Sequence, residues 1–206
     1  YAFGALMLLA LMSYRKKLPV ISSPRTLLFN AINGILMSFS SLFLYYSFTM
    51  IDVGLASTLL FVYPVMVAVI MALFFRERAG GATILAIALS ILGVCILNGA
   101  GSNTGDVQAK GVFFVMLSSL AYALYIVFIR VTPLRQVPSD TQTFWGLIFG
   151  MPTFLICLLF DNALTLPQHW SGWAMTLGMA FFPTVVSLTF TALAIKRVGA
   201  TATAIL

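Results

Sequence analysis

The chain has 206 residues, of which 61% are hydrophobic and only 8% are charged. Soluble domains are about 45–50% apolar and about 25% charged, so no water-soluble fold could cover this much apolar surface. The formal net charge of +6 does not indicate a nucleic-acid-binding protein, because the basic residues lie between hydrophobic runs and form no basic face. The composition therefore predicts an integral membrane protein.

The hydrophobic runs have the length of membrane-spanning helices. About 20 apolar residues cross the hydrocarbon core of a bilayer, and weakly patterned runs of this length are not typical of barrel strands. The first run, Tyr1–Met12, precedes basic residues; because a signal peptide carries its charge before the apolar core, we interpret it as the end of a truncated membrane helix. Six further runs reach the full length: Leu27–Met50, Leu55–Phe75, Ala79–Asn98, Gly111–Val131, Thr141–Phe160 and Trp173–Ile195.

The connections between these runs sort the basic residues onto one side of the membrane. If the loops alternate between two sides, ten of the eleven basic residues share a side and only Lys110 lies on the other. The positive-inside rule assigns the populated side to the cytoplasm, which predicts a multi-pass protein of the cytoplasmic (inner) membrane. The cytoplasmic residues are then Arg15, Lys16, Lys17, Arg25, Arg76, Arg78, Arg130, Arg135, Lys196 and Arg197.

Two similar segments indicate an internal repeat. Tyr45–Leu60 and Thr191–Leu206 superpose with a shift of 146 residues, and the predicted topology gives them opposite directions across the membrane. Inverted repeats are characteristic of secondary transporters, whose substrate site lies at the repeat interface. The polar connection Gly99–Lys110 is the expected boundary between a first repeat, 1–100, and a second repeat, 111–206. Because a new hydrophobic segment is just starting where the chain stops, we expect both repeats to be truncated.

Both copies of the repeat carry a stripe of hydroxyl groups at i, i+3 and i+7. The stripes consist of Ser38, Ser41 and Tyr45 in one helix and of Thr184, Ser187 and Thr191 in the other. Asn30 and Thr49 lie on the same face of the first helix. We interpret the stripes as facing walls of a central cavity that binds substrate. The alternative is that each hydroxyl bonds to a backbone carbonyl or a neighbouring helix.

A third polar stripe extends this candidate site. Ser118, Tyr122 and Tyr125 lie at i, i+4 and i+7. A tyrosine within a span supplies an aromatic wall and a hydroxyl group, which suit a partly apolar substrate, and Tyr122 is the residue that we expect to bind it. For Tyr125 the alternative is the interfacial aromatic belt, because it lies close to Arg130.

Prolines and glycines predict local features of the helices. Pro64 lies within the span Leu55–Phe75, where it removes a helical hydrogen bond and would act as a hinge or kink near the substrate. Pro152 is placed similarly, although prolines are common in membrane helices in any case. The G-x-x-x-G motif Gly146–Gly150 predicts close helix packing. The same role is expected of a ridge of small residues formed by Ala82, Ala86 and Ser90.

The predicted spans lack the residues of catalysis and of metal binding. No acidic or basic residue lies in the middle of a span, whereas proton-coupled carriers usually place one there. Either the coupling residues lie in missing segments, or transport is facilitated diffusion or exchange. The two cysteines and the one histidine form no ligand cluster. We therefore expect no enzymatic activity, no metal and no cofactor.

Several segments resemble the EamA-type drug/metabolite transporters, in the order found in that family. Ala56–Ala68 resembles the family's fourth helix, and Phe74–Arg78 resembles its helix-ending Gly-Glu-Arg, with Phe75-Arg76 in place of the usual small residue. Ser90–Val94 resembles the fifth helix. The second half contributes Lys110–Arg130, which is similar to the start of the second repeat, and Arg197–Ala202, which is similar to its turn.

The resemblance covers nearly the whole chain and implies an all-α integral membrane fold. That fold has ten helices in two inverted repeats of five, of which about seven would be present here. The family mostly exports amino acids and other small metabolites, so the resemblance implies a secondary transporter with a small-molecule substrate, embedded in the lipid bilayer. The alternative is a membrane sensor or scaffold that has the same fold but transports nothing.

Overall fold

The computed structural model describes residues 1–14, 16, 23–76, 109–161 and 169–205, and the single residues 85, 88 and 92. This part of the chain is helical and contains no strand, as the long apolar runs predict. The helices are α1 (Ala2–Tyr14), α2 (Pro24–Phe48), α3 (Val53–Leu60), α4 (Tyr63–Phe75), α5 (Ala109–Val131), α6 (Ser139–Asp161), α7 (Trp170–Met179), α8 (Ser187–Val198) and α9 (Ala200–Ile205). A 3₁₀ turn, Pro133–Gln136, lies between α5 and α6, and a π-helical segment, Ala180–Val186, joins α7 to α8.

Within the described residues, five helical segments are long and apolar enough to cross a membrane. They are Pro24–Phe48, Val53–Phe75, Ala109–Val131, Ser139–Leu158 and Trp170–Val198, and they correspond to five of the six full-length runs. The sixth run, Ala79–Asn98, lies outside the described residues apart from positions 85, 88 and 92. Several other predicted features also lie outside them: Ala82, Ala86, Ser90, Arg15, Lys17 and Arg78.

The span Val53–Phe75 is broken in its middle. Helix α3 ends at Leu60, and α4 starts at Tyr63 with Pro64 in its first turn. Proline is favourable at that position, because the first N–H groups of a helix have no partner within it. The break therefore falls just before Pro64, so that α3 and α4 are two short helices rather than one continuous kinked helix.

The span Trp170–Val198 contains a second irregularity. Its π-helical segment includes Pro183, which cannot donate a hydrogen bond to the carbonyl of Met179 four residues earlier. The hydroxyl of Thr184 donates to that carbonyl instead, at 3.0 Å. Short π-helical segments are frequent at functional sites, and this one lies at the start of the second hydroxyl stripe.

The chain divides into two compact units. The first contains Tyr1–Ser38 and Val131–Arg197, and the second contains Phe39–Arg130 and Val198–Leu206. Helix α2 contributes its first half to the first unit and its second half to the second unit. Each unit thus combines segments that are distant in the sequence.

In the first unit, α2 and α6 are in backbone contact through glycines. A Cβ atom on Gly34 would lie 2.5 Å from the carbonyl oxygen of Gly146, and one on Gly150 would lie 3.0 Å from that of Gly34. Further along both helices, Ser38 contacts Thr153. Positions increase together on the two helices, so α2 and α6 are parallel. The G-x-x-x-G motif Gly146–Gly150 is thus part of a close helix contact.

In the second unit, the corner between α2 and α3 packs against α5. Ile51, Ala56 and Val115 form its buried apolar core. A Cβ atom on Gly111 would lie 2.6 Å from Cγ2 of Ile51, so the absence of a side chain lets the start of α5 approach this corner. Asp52 caps α3, because its Oδ1 accepts hydrogen bonds from the backbone N–H groups of Gly54 and Leu55 at 2.8 and 3.3 Å.

Candidate functional site

The predicted substrate-binding residues are divided between the two units. The first unit contains Ser38, Thr184, Ser187 and Thr191, and the second contains Ser41, Tyr45, Pro64 and Tyr122. Within each unit the structure gives these residues definite neighbours. The facing of the two stripes across a central cavity stays a prediction.

Ser38 is fully buried and hydrogen-bonded in the first unit. Its Oγ lies 2.9 Å from the carbonyl oxygen of Ile35 and 2.8 Å from Oγ1 of Thr153 on α6. The first contact is the backbone bond that small hydroxyl residues often make in helices, and the second joins α2 to α6. Thr153, which the sequence analysis did not single out, is half-buried. It therefore joins Ser38 as a member of the candidate site.

The second stripe follows the π-helical segment and α8. Thr184 is half-buried, and its hydroxyl donates a hydrogen bond to the carbonyl of Met179. Ser187 is exposed and Thr191 is half-buried, and both lie beside the packed positions Leu188 and Ala192. Ser187 and Thr191 thus lie at the edge of the packed face of α8.

A cleft of about 360 Å³ opens in the first unit on a different face of α8. Its walls are mainly apolar and include Leu8 of α1 with Phe181 and Phe190, and its polar residues are Asp140 and Thr189. Oγ1 of Thr189 is buried and has no hydrogen-bond partner among the described residues. Apolar clefts of this size with a few polar groups suit small organic molecules. The hydroxyl stripe did not predict this cleft, because the stripe marks only one face of α8.

Tyrosine rings gather around Tyr122 in the second unit. The rings of Tyr63 and Tyr122 meet edge to face with centroids 4.9 Å apart, and those of Tyr122 and Tyr125 are stacked at 5.5 Å. Tyr125 is only 4% exposed, which favours a packing role over a place in an exposed aromatic belt. Tyr122 is half-buried, so part of its surface is left to contact a ligand.

The second half of α2 carries both buried and exposed polar groups. Ser41 is half-buried, whereas Tyr45 is 61% exposed. Their neighbour Ser40 is buried, with its Oγ 3.2 Å from Oγ of Ser118, which in turn donates to the carbonyl of Ser40 at 2.7 Å. Ser118 thus joins α5 to α2 by hydrogen bonds between neighbouring helices.

Pro64 changes the hydrogen bonding of the residues before it. A residue with an N–H at position 64 could donate to the carbonyl of Leu60, and proline cannot. Oγ of Ser119 on α5 donates to this carbonyl at 3.2 Å. The break between α3 and α4 is therefore bridged by a neighbouring helix. The sequence contains one indication that Ser119 could act as this donor: it directly follows Ser118, which belongs to the third polar stripe.

These side chains provide the groups that a ligand-binding site needs. Serine, threonine and tyrosine hydroxyls provide hydrogen bonds, and the tyrosine rings provide apolar and stacking surface. In the part of the chain that the structure describes, no three His, Cys, Asp or Glu side chains come together as metal ligands.

Comparisons with known proteins point to a family of membrane transporters. The model of the family described as "EamA-like transporter family" matches residues 1–99 and 109–206. No curated protein matches the chain. One solved structure, titled only "Crystal structure of protein", is 16% identical and superposes with a TM-score of 0.80, over 98% of this chain and 69% of that one. At this level of identity the likeness concerns the fold alone.

Proposed function

Because the chain belongs to the EamA-like transporter family, we propose that it is a secondary transporter that exports small metabolites, such as amino acids and related compounds. Family membership and the apolar helices make it a multi-pass membrane protein with the inverted-repeat fold of drug/metabolite transporters. Export proceeds by alternating access, in which the two repeats rock around a central site near the middle of the bilayer. The observation that carries the proposal is the family match over both halves of the chain.

The site combines the two hydroxyl stripes with Tyr122. Ser38, Ser41, Tyr45, Thr184, Ser187 and Thr191 supply hydrogen bonds, and the ring of Tyr122 supplies an apolar wall. This combination suits a small zwitterionic molecule with an apolar part. The breaks at Phe61–Val62 and Ala180–Val186 support a mechanism in which helices move, because irregular positions let membrane helices bend.

The orientation follows from the distribution of basic residues. The protein lies in the cytoplasmic membrane with Arg135 inside and Lys110 outside. A membrane-impermeant thiol reagent added to intact cells should label Lys110→Cys and leave Arg135→Cys unlabelled, in a background whose native cysteines are replaced by alanine. Labelling of Arg135→Cys in intact cells would reverse the assignment.

The transport experiment uses the full-length protein in liposomes loaded with a mixed pool of amino acids and other small metabolites. Mass spectrometry follows which compounds leave protein-containing and empty liposomes. We expect selective loss of one compound class with the wild-type protein. The double variant Ser41→Leu with Ser187→Leu should abolish this loss while its expression stays near normal, because both cavity walls lose a hydroxyl.

A matched double variant separates the site from the general effect of two Ser→Leu changes. Ser57 bonds to the carbonyl of Val53 in its own helix, and Ser171 is exposed at the start of α7. Ser57→Leu with Ser171→Leu should therefore transport as the wild type does. Continued transport by the Ser41/Ser187 variant would refute the cavity. The absence of any protein-dependent loss, with folded protein, would favour a sensor or scaffold.

A further inference from the structure

The cleft of the first unit follows one side of the span Trp170–Val198 over several turns. The residues that this span contributes to its walls recur at helical spacing: Phe181, Val185, Val186, Thr189, Phe190 and Leu193. Leu8 and Leu11 of α1 form another part of the wall. At about 1.5 Å per residue, the stretch from Phe181 to Leu193 is about 18 Å long. The cleft is therefore elongated along the helix axis, between α1 and α8.

The volume of the cleft indicates its width. A volume of about 360 Å³ over a length of about 18 Å gives a mean cross-section of about 20 Å², which is about 5 Å across. Non-bonded carbon atoms lie about 3.5–4.0 Å apart, so the cleft is one hydrocarbon chain wide. Its length is also that of such a chain in a membrane, because each leaflet contributes about half of a hydrocarbon core that is about 30 Å thick.

The cleft opens on the surface of a membrane-spanning segment. Phe190 is 63% exposed and Phe181 is 42% exposed, and Leu11 on the α1 side is 37% exposed. Exposed apolar side chains within a span contact the acyl chains of the bilayer. A chain from the surrounding lipid can therefore enter the cleft sideways, without crossing a polar barrier.

The polar side-chain surface of the cleft is concentrated at one end. Oγ1 of Thr189 is buried, so the polar side chain that the cleft presents is Asp140, at the start of α6. The carboxylate of Asp140 attracts the ammonium group of Lys196, which lies about one turn beyond Leu193. This end thus has one charge of each sign and no net charge, and the proposed topology places it at the cytoplasmic surface.

From these observations we infer that the cleft, here called the acyl groove, binds one acyl chain of a zwitterionic phospholipid from the cytoplasmic leaflet. The head group then lies at the end marked by Asp140 and Lys196, where an anionic head group would place excess negative charge beside a carboxylate. The bound chain adds dispersion contacts to both α1 and α8, and so stabilises the packing of these two helices. This lipid site goes beyond the proposed export function.

The test measures lipid binding without transport, so its failure is separate from failure of the proposed function. Full-length protein in a mild detergent is supplied with equal amounts of phosphatidylethanolamine and phosphatidylglycerol and is weighed by native mass spectrometry. The added mass identifies the occupant. We expect the wild-type protein to retain a single phospholipid, with phosphatidylethanolamine preferred. Absence of retained lipid would overturn the proposal, as would a small metabolite or a second copy of the chain in its place.

Variants that fill the acyl groove locate the lipid. Val186→Trp places an indole ring in the groove and should lower the fraction of protein with bound lipid by roughly tenfold, because extra atoms overpack a filled space. Leu193→Trp should do the same nearer the polar end. The matched control is Val69→Trp, because Val69 is 49% exposed on α4 and does not line the groove. Melting of each variant verifies that it is folded, and undiminished lipid retention by folded Val186→Trp would overturn the assignment.

An acidic-to-amide change tests the position of the head group. Asp140→Asn leaves the charge of Lys196 unbalanced and should shift the lipid preference about fivefold toward phosphatidylglycerol, the effect of one additional basic charge on an anionic lipid. Asp52→Asn is the matched control, since Asp52 is exposed in the second unit and asparagine caps a helix as well as aspartate does. An equal preference in Asp140→Asn and wild type would contradict the placement of the head group beside Asp140.

Discussion

The hydroxyl of Ser119 donates a hydrogen bond to the carbonyl oxygen of Leu60 at a distance of 3.2 Å. This carbonyl lies four residues before Pro64, which has no N–H to offer it. A side chain of α5 thus satisfies a backbone group at the break between α3 and α4. Because a membrane interior offers little water to such a group, the break depends on Ser119.

Replacing Ser119 by alanine should destabilise the protein by about 1–3 kcal/mol, since the Leu60 carbonyl loses its donor while it remains in the membrane. Thermal melting in nanodiscs measures the change. The matched control is Ser57→Ala, because the hydroxyl of Ser57 bonds to the carbonyl of Val53 within its own helix and that carbonyl keeps its backbone donor. Equal melting of the two variants would show that Ser119 does not support the break.

The role of Pro64 as a hinge leads to a second prediction. In Pro64→Ala, the new N–H can donate to Leu60 and extend α4 backwards, which would make the span continuous. Ser119→Ala should then cost much less than it does in the wild-type background, with a coupling energy of about 0.5–3 kcal/mol. A double-mutant cycle of melting measurements checks this. Additive effects of the two changes would contradict the hinge, and in liposomes Pro64→Ala alone should slow transport.

The sequence predicted that the helix is disturbed near Pro64, but not where the break between α3 and α4 falls. The sequence placed Pro64 within the span Leu55–Phe75, and the physical properties of proline predicted a disturbed helix there. It could not indicate that α3 would end at Leu60 or that Ser119 would serve the freed carbonyl, because such a bond depends on how α5 packs beside α3. Pro183 shows the same limit, since nothing in its immediate sequence distinguishes a π-helical segment from an ordinary kink.

The contact between Gly34 and Gly146 gives an asymmetric prediction. A Cβ atom on Gly34 would lie 2.5 Å from a backbone oxygen, whereas one on Gly146 meets nothing within 4 Å. Gly34→Ala should therefore cost about 1–3 kcal/mol through overpacking, while Gly146→Ala should be neutral or stabilise by up to about 1 kcal/mol through helix propensity. The melting midpoints of the two variants, compared with that of the wild-type protein, test this difference. Similar losses in both would mean that the helices do not meet as described.

Some features of the first unit could be predicted from the sequence, and others depend on the contact between Gly34 and Gly146. The spacing of Gly146 and Gly150 predicted close packing but not the partner, because Gly34 is the only glycine of α2 and no G-x-x-x-G motif marks that helix. The hydroxyl stripes were visible as periodic patterns. The burial of Gln142 and Thr143 was not visible, since both lie near the end of a predicted span, where polar residues are ordinary. Only the packing of α2 on α6 shows that they are buried.

The end of α8 is tied to the start of α6 by Lys196, and this gives the last prediction. Its ammonium group donates to the carbonyl of Val137 and lies 3.3 Å from Oγ of Ser139. Lys196→Met keeps the apolar stem of the side chain and removes the donor, so it should destabilise the protein by about 1.5–3 kcal/mol, the range for hydrogen bonds to charged groups. Arg197→Met is the matched control, because Arg197 is exposed and should change the melting midpoint little. If both variants melted as the wild type does, the tie between α8 and α6 would contribute nothing to stability, and the basic pair would act only through the positive-inside rule.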